Sequence, residues 1–283
     1  MNLKLVIDGA GDLPAGWLEE FDINVIPINI QYGNKTYLQG VDLNDAEFYR
    51  IADSSKVIPK TSQPTPQQFI DFYRRIANLG DTILSMHVTS KLSGTFESAV
   101  LAARELGEQY HIIPFDSATG SAALGYMCKE VRLLERTGAS LQTILDRLEF
   151  IRKNIVLALT LDTLEYARKS GRIKALQAAI ASVLQVKPIV VLRDGALEMA
   201  ARVRTRHRSL DEVAETVRRQ VGDRLVNVAV VHARAPEAAE ILKQRIQESF
   251  HCAEMIITDL SIGVAANLGP GTVGIVAYPV KEG

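Results

Sequence analysis

The sequence predicts an α/β protein of two domains, a parallel α/β domain over residues 1–155 and a mixed sheet layered with helices over residues 156–283. Three observations carry this. Strand-like and helical runs alternate between residues 82 and 136, the order that lays down a parallel sheet. The Asp194-Gly195 step joins two apolar runs and calls for an antiparallel hairpin in the second half. At 283 residues the chain exceeds one average domain.

In chain order, Lys4–Ile7 is a short apolar strand, and Asp12-Leu13-Pro14 reads as the cap and first turn of a helix. Ile23–Tyr32 alternates, turns at Gly33-Asn34-Lys35 and returns over Thr36–Leu38, a small hairpin excursion near residues 23–40. A helix spans about Asp45–Ala52. Thr65-Pro66-Gln67-Gln68 supplies an N-cap, a proline at N1 and a glutamine at N3, a capping box opening a helix with Phe69, Phe72, Tyr73 and Ile76 on one face. Strand Thr82–Val88, helix Thr95–Leu106, strand His111–Phe115 and helices Ala122–Arg136 and Leu141–Lys153 complete the first half. The second half reads as strand Ile155–Thr160, helices Leu161–Lys169 and Ala175–Leu184, strands Val186–Leu192 and Ala196–Val203, strand Leu225–Val231, helix Pro236–Phe250, and strands Glu254–Thr258 and Thr272–Tyr278.

Apolar residues make up 47% and charged residues 23%, and a net charge of −1 gives no overall attraction to nucleic acid or anionic membrane. No apolar run approaches the ~20 residues that span a bilayer. Cys128 and Cys252 stand apart without metal-ligand spacing and read as reduced core thiols. Met1–Asp8 enters a strand directly, with no charged-then-apolar leader, so a cytoplasmic protein is expected.

Two glycine patterns fail as nucleotide sites. Gly269-Pro270-Gly271-Thr272-Val273-Gly274 matches G-x-G-x-x-G in letters, but the nine residues after it look like a strand and leave no room for the helix and ribose-binding acid. Gly9-Ala10-Gly11 lacks the third glycine, and Asp8 would repel a pyrophosphate; it reads as a tight turn. Ser93, between strand and helix, is the one candidate nucleophile, with His87 and Asp116 as conceivable triad partners. Lys91 replaces the first glycine of G-x-S-x-G, however. What the loop offers is hydroxyls plus the N–H groups of Gly94, Thr95 and Phe96 at a helix start, which bind anions without an activated nucleophile. Thr61-Ser62-Gln63-Pro64 is read as a second hydroxyl-rich loop beside the same parallel sheet, or as groups satisfying local backbone. Arg202, Arg204, Arg206 and Arg208 alternate, so an extended segment would point all four one way, either as a solvated edge or as a docking surface for an acidic or phosphate-bearing partner.

Taken together, Asp8 with Asp12-Leu13-Pro14, Thr61-Ser62-Gln63-Pro64, Leu92-Ser93-Gly94-Thr95-Phe96-Glu97-Ser98-Ala99, Asp116-Ser117, Thr163-Leu164-Glu165-Tyr166, Ser170-Gly171-Arg172-Ile173, Lys187-Pro188-Ile189 and Gly269-Pro270-Gly271 resemble the DegV family of bacterial fatty-acid-binding proteins, across nearly the whole chain. The resemblance implies a Rossmann-like N-terminal domain, a layered C-terminal domain, and one long-chain fatty acid such as palmitate, stearate or oleate buried between or beneath them, with no cofactor and no metal. It implies that Thr61 and Ser93 hold the carboxylate with Ser62 and the Gly94 N–H nearby, and that Arg172, Arg202 and Arg204 face the head group or a partner. Some members present the fatty acid to a fatty-acid kinase, which makes the acyl phosphate. This sequence departs from the family in having Gly9 and Ala10 where serines are usual, and Asn267 where a histidine is usual. An amide donates to a carboxylate but does not become cationic.

The chemistry fits a non-catalytic carrier. A buried carboxylate needs several hydrogen bonds, which hydroxyls and helix N–H groups provide. At ~0.8 kcal/mol per buried CH₂, a chain of about 15 methylenes has on the order of 12 kcal/mol available. The alternative is a serine hydrolase acting on an ester or small phosphorylated substrate through Ser93; a third reading is an interaction protein using the arginine stripe.

Overall fold

A computed structural model describes residues 2–55, 57–173 and 186–280. The strands β1 (Leu3–Asp8), β2 (Ile23–Ile26), β6 (Thr82–His87) and β7 (His111–Asp116) form an all-parallel sheet in the order β2-β1-β6-β7. A small antiparallel sheet beside it orders β4 (Lys35–Leu38), β3 (Asn29–Tyr32) and β5 (Lys60–Ser62) as β4-β3-β5. The second domain holds six strands in the order β10-β9-β8-β13-β11-β12: β8 (Val156–Thr160), β9 (Lys187–Arg193), β10 (Ala196–Val203), β11 (Val226–His232), β12 (Cys252–Asp259) and β13 (Val273–Pro279). Only β11 and β12 run parallel there. The fold is thus a two-domain mixed α/β fold.

The layers follow from which sequence faces are apolar. Helices α3 (Pro66–Ile76) and α4 (Thr95–Leu106) cover one face of the parallel sheet, where Phe69, Phe72, Tyr73, Ala99 and Ala102 pack on Val6 and Ile83. The other face meets α5 (Ala122–Arg136) and α6 (Leu141–Asn154), which are also packed by Leu157, Leu159, Val231 and Tyr278 of the six-stranded sheet, so one core runs through both domains. Tyr126 fastens this middle layer, donating to the Val228 carbonyl at 2.8 Å and meeting Tyr278 edge-on. Helices α8 (Arg206–Val221) and α9 (Pro236–Ser249) cover the outer face of the large sheet. The capping box at Thr65, the α4 and α5 spans and the hairpin at Asp194-Gly195 all stand where the sequence places them. The tip of that hairpin reaches the first domain: Gly195 has φ 79°, and a Cβ there would lie 2.6 Å from Thr89 Oγ1.

Several elements differ from expectation. The first helix is only α1 (Trp17–Glu20), opened by Gly16 at φ 85°. Asp12 is not its cap, because its carboxylate turns inward to accept from Ser121 Oγ and, at 2.8 Å, from the Ser261 N–H. The run from Ile23 to Tyr32 is two strands in two sheets, parted at Pro27, whose missing N–H ends the ladder. Thr61 and Ser62 lie in β5, not in a loop of the parallel sheet. The helix expected at Leu161 is α7 (Glu165–Ser170); the one expected over 175–184 falls outside the described residues. Helix α2 spans Asp45–Ser54.

The arginine stripe does not exist. Arg202 is on β10, but α8 begins at Arg206, where Thr205 caps it by accepting from the Arg208 N–H. Leu210, Val213, Val217 and Val221 fall on one helical face and are buried, at roughly 1.5–3 kcal/mol each, which outweighs any preference of the arginines for an extended backbone. A short helix that the sequence reading also missed, α10 (Ile262–Leu268), precedes the glycine pair, and β13 follows it directly. Cys128 is a buried thiol, whereas Cys252 is half-exposed on edge strand β12.

Candidate functional site

Segments distant in sequence line a chamber of about 240 Å³ in which a group of polar side chains is set among apolar walls that include Ala10, Ile28 and Leu197. Strand β5 contributes Thr61 and Ser62 with Gln63 beyond them; the loop after β6 contributes Val88, Leu92 and Ser93; Arg172 follows α7; and α10 contributes Gly263, Val264, Asn267 and Leu268. Asn267 fastens the small sheet to the second domain. Its Nδ2 donates to the Gly263 carbonyl one turn earlier at 2.7 Å and to Thr61 Oγ1 at 3.2 Å. Helix α10 approaches closely because position 263 has no side chain: a Cβ there would sit 2.7 Å from the Gly9 carbonyl oxygen.

Arg172 reaches the chamber because Gly171, at φ 71°, ends α7 in the left-handed region and turns the chain back. Its Nη1 donates to the Ser170 carbonyl at 2.5 Å, and no carboxylate among the described residues lies within ion-pair distance of it. Burial pushes its guanidinium below the usual arginine range. A partly desolvated cation without a counterion favours any anion that enters.

Ser93 has no base. Its Oγ lies 2.8 Å from Thr95 Oγ1, and His87 is committed elsewhere: Nε2 to Ser85 Oγ at 2.7 Å and Nδ1 to Asp8 Oδ2 at 3.2 Å. Asp116 accepts from the Ala118 and Ser90 N–H groups. A Ser-His-Asp array therefore exists at Ser85, His87 and Asp8, but all three are fully buried, and Tyr73 OH closes its far end at 2.8 Å from Ser85 Oγ. Asp8 also accepts from the Ala10 and Val88 N–H groups, both at 2.9 Å, and so sets the turn at residues 9–11 and two walls of the chamber.

Of the residues singled out from sequence, Thr61, Ser62, Ser93, Arg172 and Asn267 come together around this chamber. Gly94 does not line it; its N–H donates to Gln63 Oε1 at 3.1 Å, a partner the sequence reading overlooked. Arg202 and Arg204 are exposed and stand outside the lining.

A second chamber of about 80 Å³ adjoins the first, sharing Val88, Leu92, Leu197, Val264 and Leu268 with it. Its further walls are almost wholly apolar, including Leu157, Leu159, Leu192, Val231 and Leu260. A polar mouth thus opens onto an apolar interior between the middle layer and the large sheet. Among the described residues no group of three or more His, Cys, Asp or Glu is placed to hold a metal ion, and no helix is long and apolar enough to cross a membrane.

The sequence profile of the DegV family matches residues 2–280. The chain belongs to the DegV family. A DegV domain-containing protein of Deinococcus radiodurans is 31% identical over 285 residues, covering 99% of this chain and all of that one. The solved structure of a fatty-acid-binding DegV family protein of Thermus thermophilus superposes with a TM-score of 0.89 at 28% identity, covering 99% of this chain and 100% of that one. DegV of Bacillus subtilis, described as a fatty acid binding protein, gives 0.86 at 26% identity, with 99% and 100% covered. The DegV fold accounts for the segments that sequence patterning alone did not connect. Thr61 and Asn267 are 206 residues apart, and only the packing of α10 on β5 brings them together.

Proposed function

We propose that this protein binds one long-chain fatty acid without transforming it, with the carboxylate at the hydroxyls, amide and guanidinium of the first chamber and the tail running along the apolar walls that the two chambers share. The observation that carries this reading is Arg172, a partly buried guanidinium with no counterion among the described residues, facing hydroxyls and an amide at the mouth of an apolar interior. A carboxylate there would accept charge-assisted hydrogen bonds from Arg172 together with those of Thr61, Ser62, Ser93 and Asn267. Burying the tail supplies ~0.8 kcal/mol per methylene, against an association cost of roughly 4 kcal/mol or more. Among the described residues no base stands at Ser93 to activate it, which favours holding an acid over attacking an ester.

The same reading extends to a partner: a fatty-acid kinase that phosphorylates the carboxylate presented at the mouth. Arg202 and Arg204, exposed beyond the chamber, offer that kinase a cationic surface. The protein works in the bacterial cytoplasm in this account, with residues 1–155 and 156–283 as its two domains.

Native mass spectrometry followed by organic extraction tests the proposal. One fatty acid released per chain is the expected result. A chain that is empty and takes up neither palmitate nor oleate would overturn it. Ser93→Ala separates the hydrolase: the carrier keeps most of its affinity, about 1 kcal/mol being lost with one hydrogen bond, whereas a serine hydrolase loses nearly all turnover.

A further inference from the structure

The first chamber is lined by one polar side chain to which the carrier reading gives no task. Gln63 stands one residue beyond β5, and its backbone is held by Asn29, whose Nδ2 donates to the Gln63 carbonyl at 3.1 Å. From there the side chain crosses to the start of α4, where its Oε1 accepts from the Gly94 N–H at 3.1 Å. The carboxamide lies against the bare Cα of Gly94: a Cβ there would sit 2.4 Å from Nε2 and 2.6 Å from Oε1. Only glycine at position 94 admits the amide so closely.

That one bond fixes which way round the amide stands. A backbone N–H can be met only by the oxygen, so the nitrogen is the end left over, and among the described residues nothing accepts from Nε2. Helix α4 has no side-chain cap of its own, so the partial positive charge of its first turn falls on the Gln63 oxygen. An amide that accepts at one end is polarised into a stronger donor at the other. The free donors belong to a chamber whose other polar groups include the Arg172 guanidinium and the Thr61 and Ser93 hydroxyls.

We infer that Gln63 is a head-group residue that selects an ionised acid: its Nε2 donates to a carboxylate oxygen while its Oε1 stays on the Gly94 N–H, so that the N-terminus of α4 acts on the ligand through this amide. The inference rests on the carrier reading and adds to it a residue that favours a carboxylate over a neutral head. It also accounts for Gly94, whose N–H is spent on Gln63 and which does not line the chamber.

The test is equilibrium dialysis of the full delipidated chain against radiolabelled palmitate and against cetyl alcohol, which has the same length of chain and an uncharged head. Q63E decides it. Glutamate keeps an oxygen for the Gly94 N–H and places a negative charge at a helix N-terminus, so thermal melting stays level or rises. It has no donor to offer and repels the carboxylate. Palmitate affinity falls about tenfold or more, while cetyl alcohol affinity stays within about twofold. Q63A removes the donor without adding a charge and lowers palmitate affinity by less than Q63E does; position 63 is exposed, so neither change leaves a hole in the core. With wild-type binding intact, unchanged palmitate affinity in Q63E would overturn the inference and leave the carrier reading standing. Equal losses for acid and alcohol, with a lower melting temperature, would overturn it too and make Gln63 only a brace for α4. A wild-type chain that takes up neither ligand would overturn the carrier reading and this inference with it.

Discussion

Two polar groupings meet at the loop after β6, where His87 belongs to one and Ser93 to the other, and they are built on opposite plans. In the Asp8–His87–Ser85–Tyr73 chain every member is fully buried and joined to another member, and the remaining capacity of Asp8 is filled by the N–H groups of Ala10 and Val88. In the chamber, among the described residues, Arg172 has only its own turn as a partner, Ser93 has Thr95, and the Thr61 hydroxyl has Asn267. A network closed on itself holds strands in place; one with donors to spare is ready to receive a ligand. The triad-like arrangement is therefore closed within the core, and the arrangement with unfilled donors is the one that the proposed carrier reading uses.

That contrast breaks most readily at Asp8. Asp8→Ala leaves two backbone N–H groups and the His87 ring without an acceptor in the interior, and a loss of about 3–5 kcal/mol in urea unfolding is expected. A loss below about 1 kcal/mol would show that the network is not structural. Arg172→Ala does the reverse. Fatty-acid affinity falls by about 2–3 kcal/mol in calorimetric titration, the cost of leaving a buried carboxylate without its cation, while the melting temperature of the ligand-free chain stays level or rises, because a desolvated charge has been removed. Equal loss of stability and affinity would erase the distinction.

A third probe lies between the two groupings. Burial raises Asp12 to about 6 against an ordinary 3.8, so the folded chain holds that proton more tightly than the unfolded one. Its contribution to stability is complete below about pH 3.8 and is lost as pH rises through 6. Asp12→Asn flattens this part of the stability profile by on the order of 1–3 kcal/mol between pH 4 and 7; an unchanged profile would refute the raised carboxyl. The smallest effect is expected on the pH dependence of binding. Asn267 does not titrate and Arg172 stays cationic, so affinity for an ionised acid varies by less than about threefold between pH 6.5 and 8.5. A steep fall across that range would mean that another group holds the head.

Local chemistry made much of this fold legible. The capping box at Thr65, the amphipathic α4 and α5 and the Asp-Gly hairpin are set by residues within a few positions of one another, and each appears at its expected place. Helix α8 was missed because four alternating arginines suggested a strand, although Thr205 and the Leu210, Val213, Val217, Val221 spacing were there to be read. Helix α10 has only seven residues, too few for a clear periodicity, and its signals were Ser261 before it and Gly269 after it. Thr61, Ser62, Ser93, Arg172 and Asn267 were named individually from the family likeness, but nothing in their spacing shows that they share a chamber. The apolar walls were out of reach, because they come from strands whose order in the sheet is not their order in the chain.

Gly195 answers two demands with one missing side chain. Its positive φ lets the β9–β10 hairpin reverse, and its bare Cα lets the tip come to rest against Thr89. Leu197, two residues on, is one of the walls that both chambers share. One missing methyl group thus sets how closely the two domains meet at this tip: a side chain there would have to push the hairpin or Thr89 aside, and the wall would shift although no polar group of the chamber had been altered.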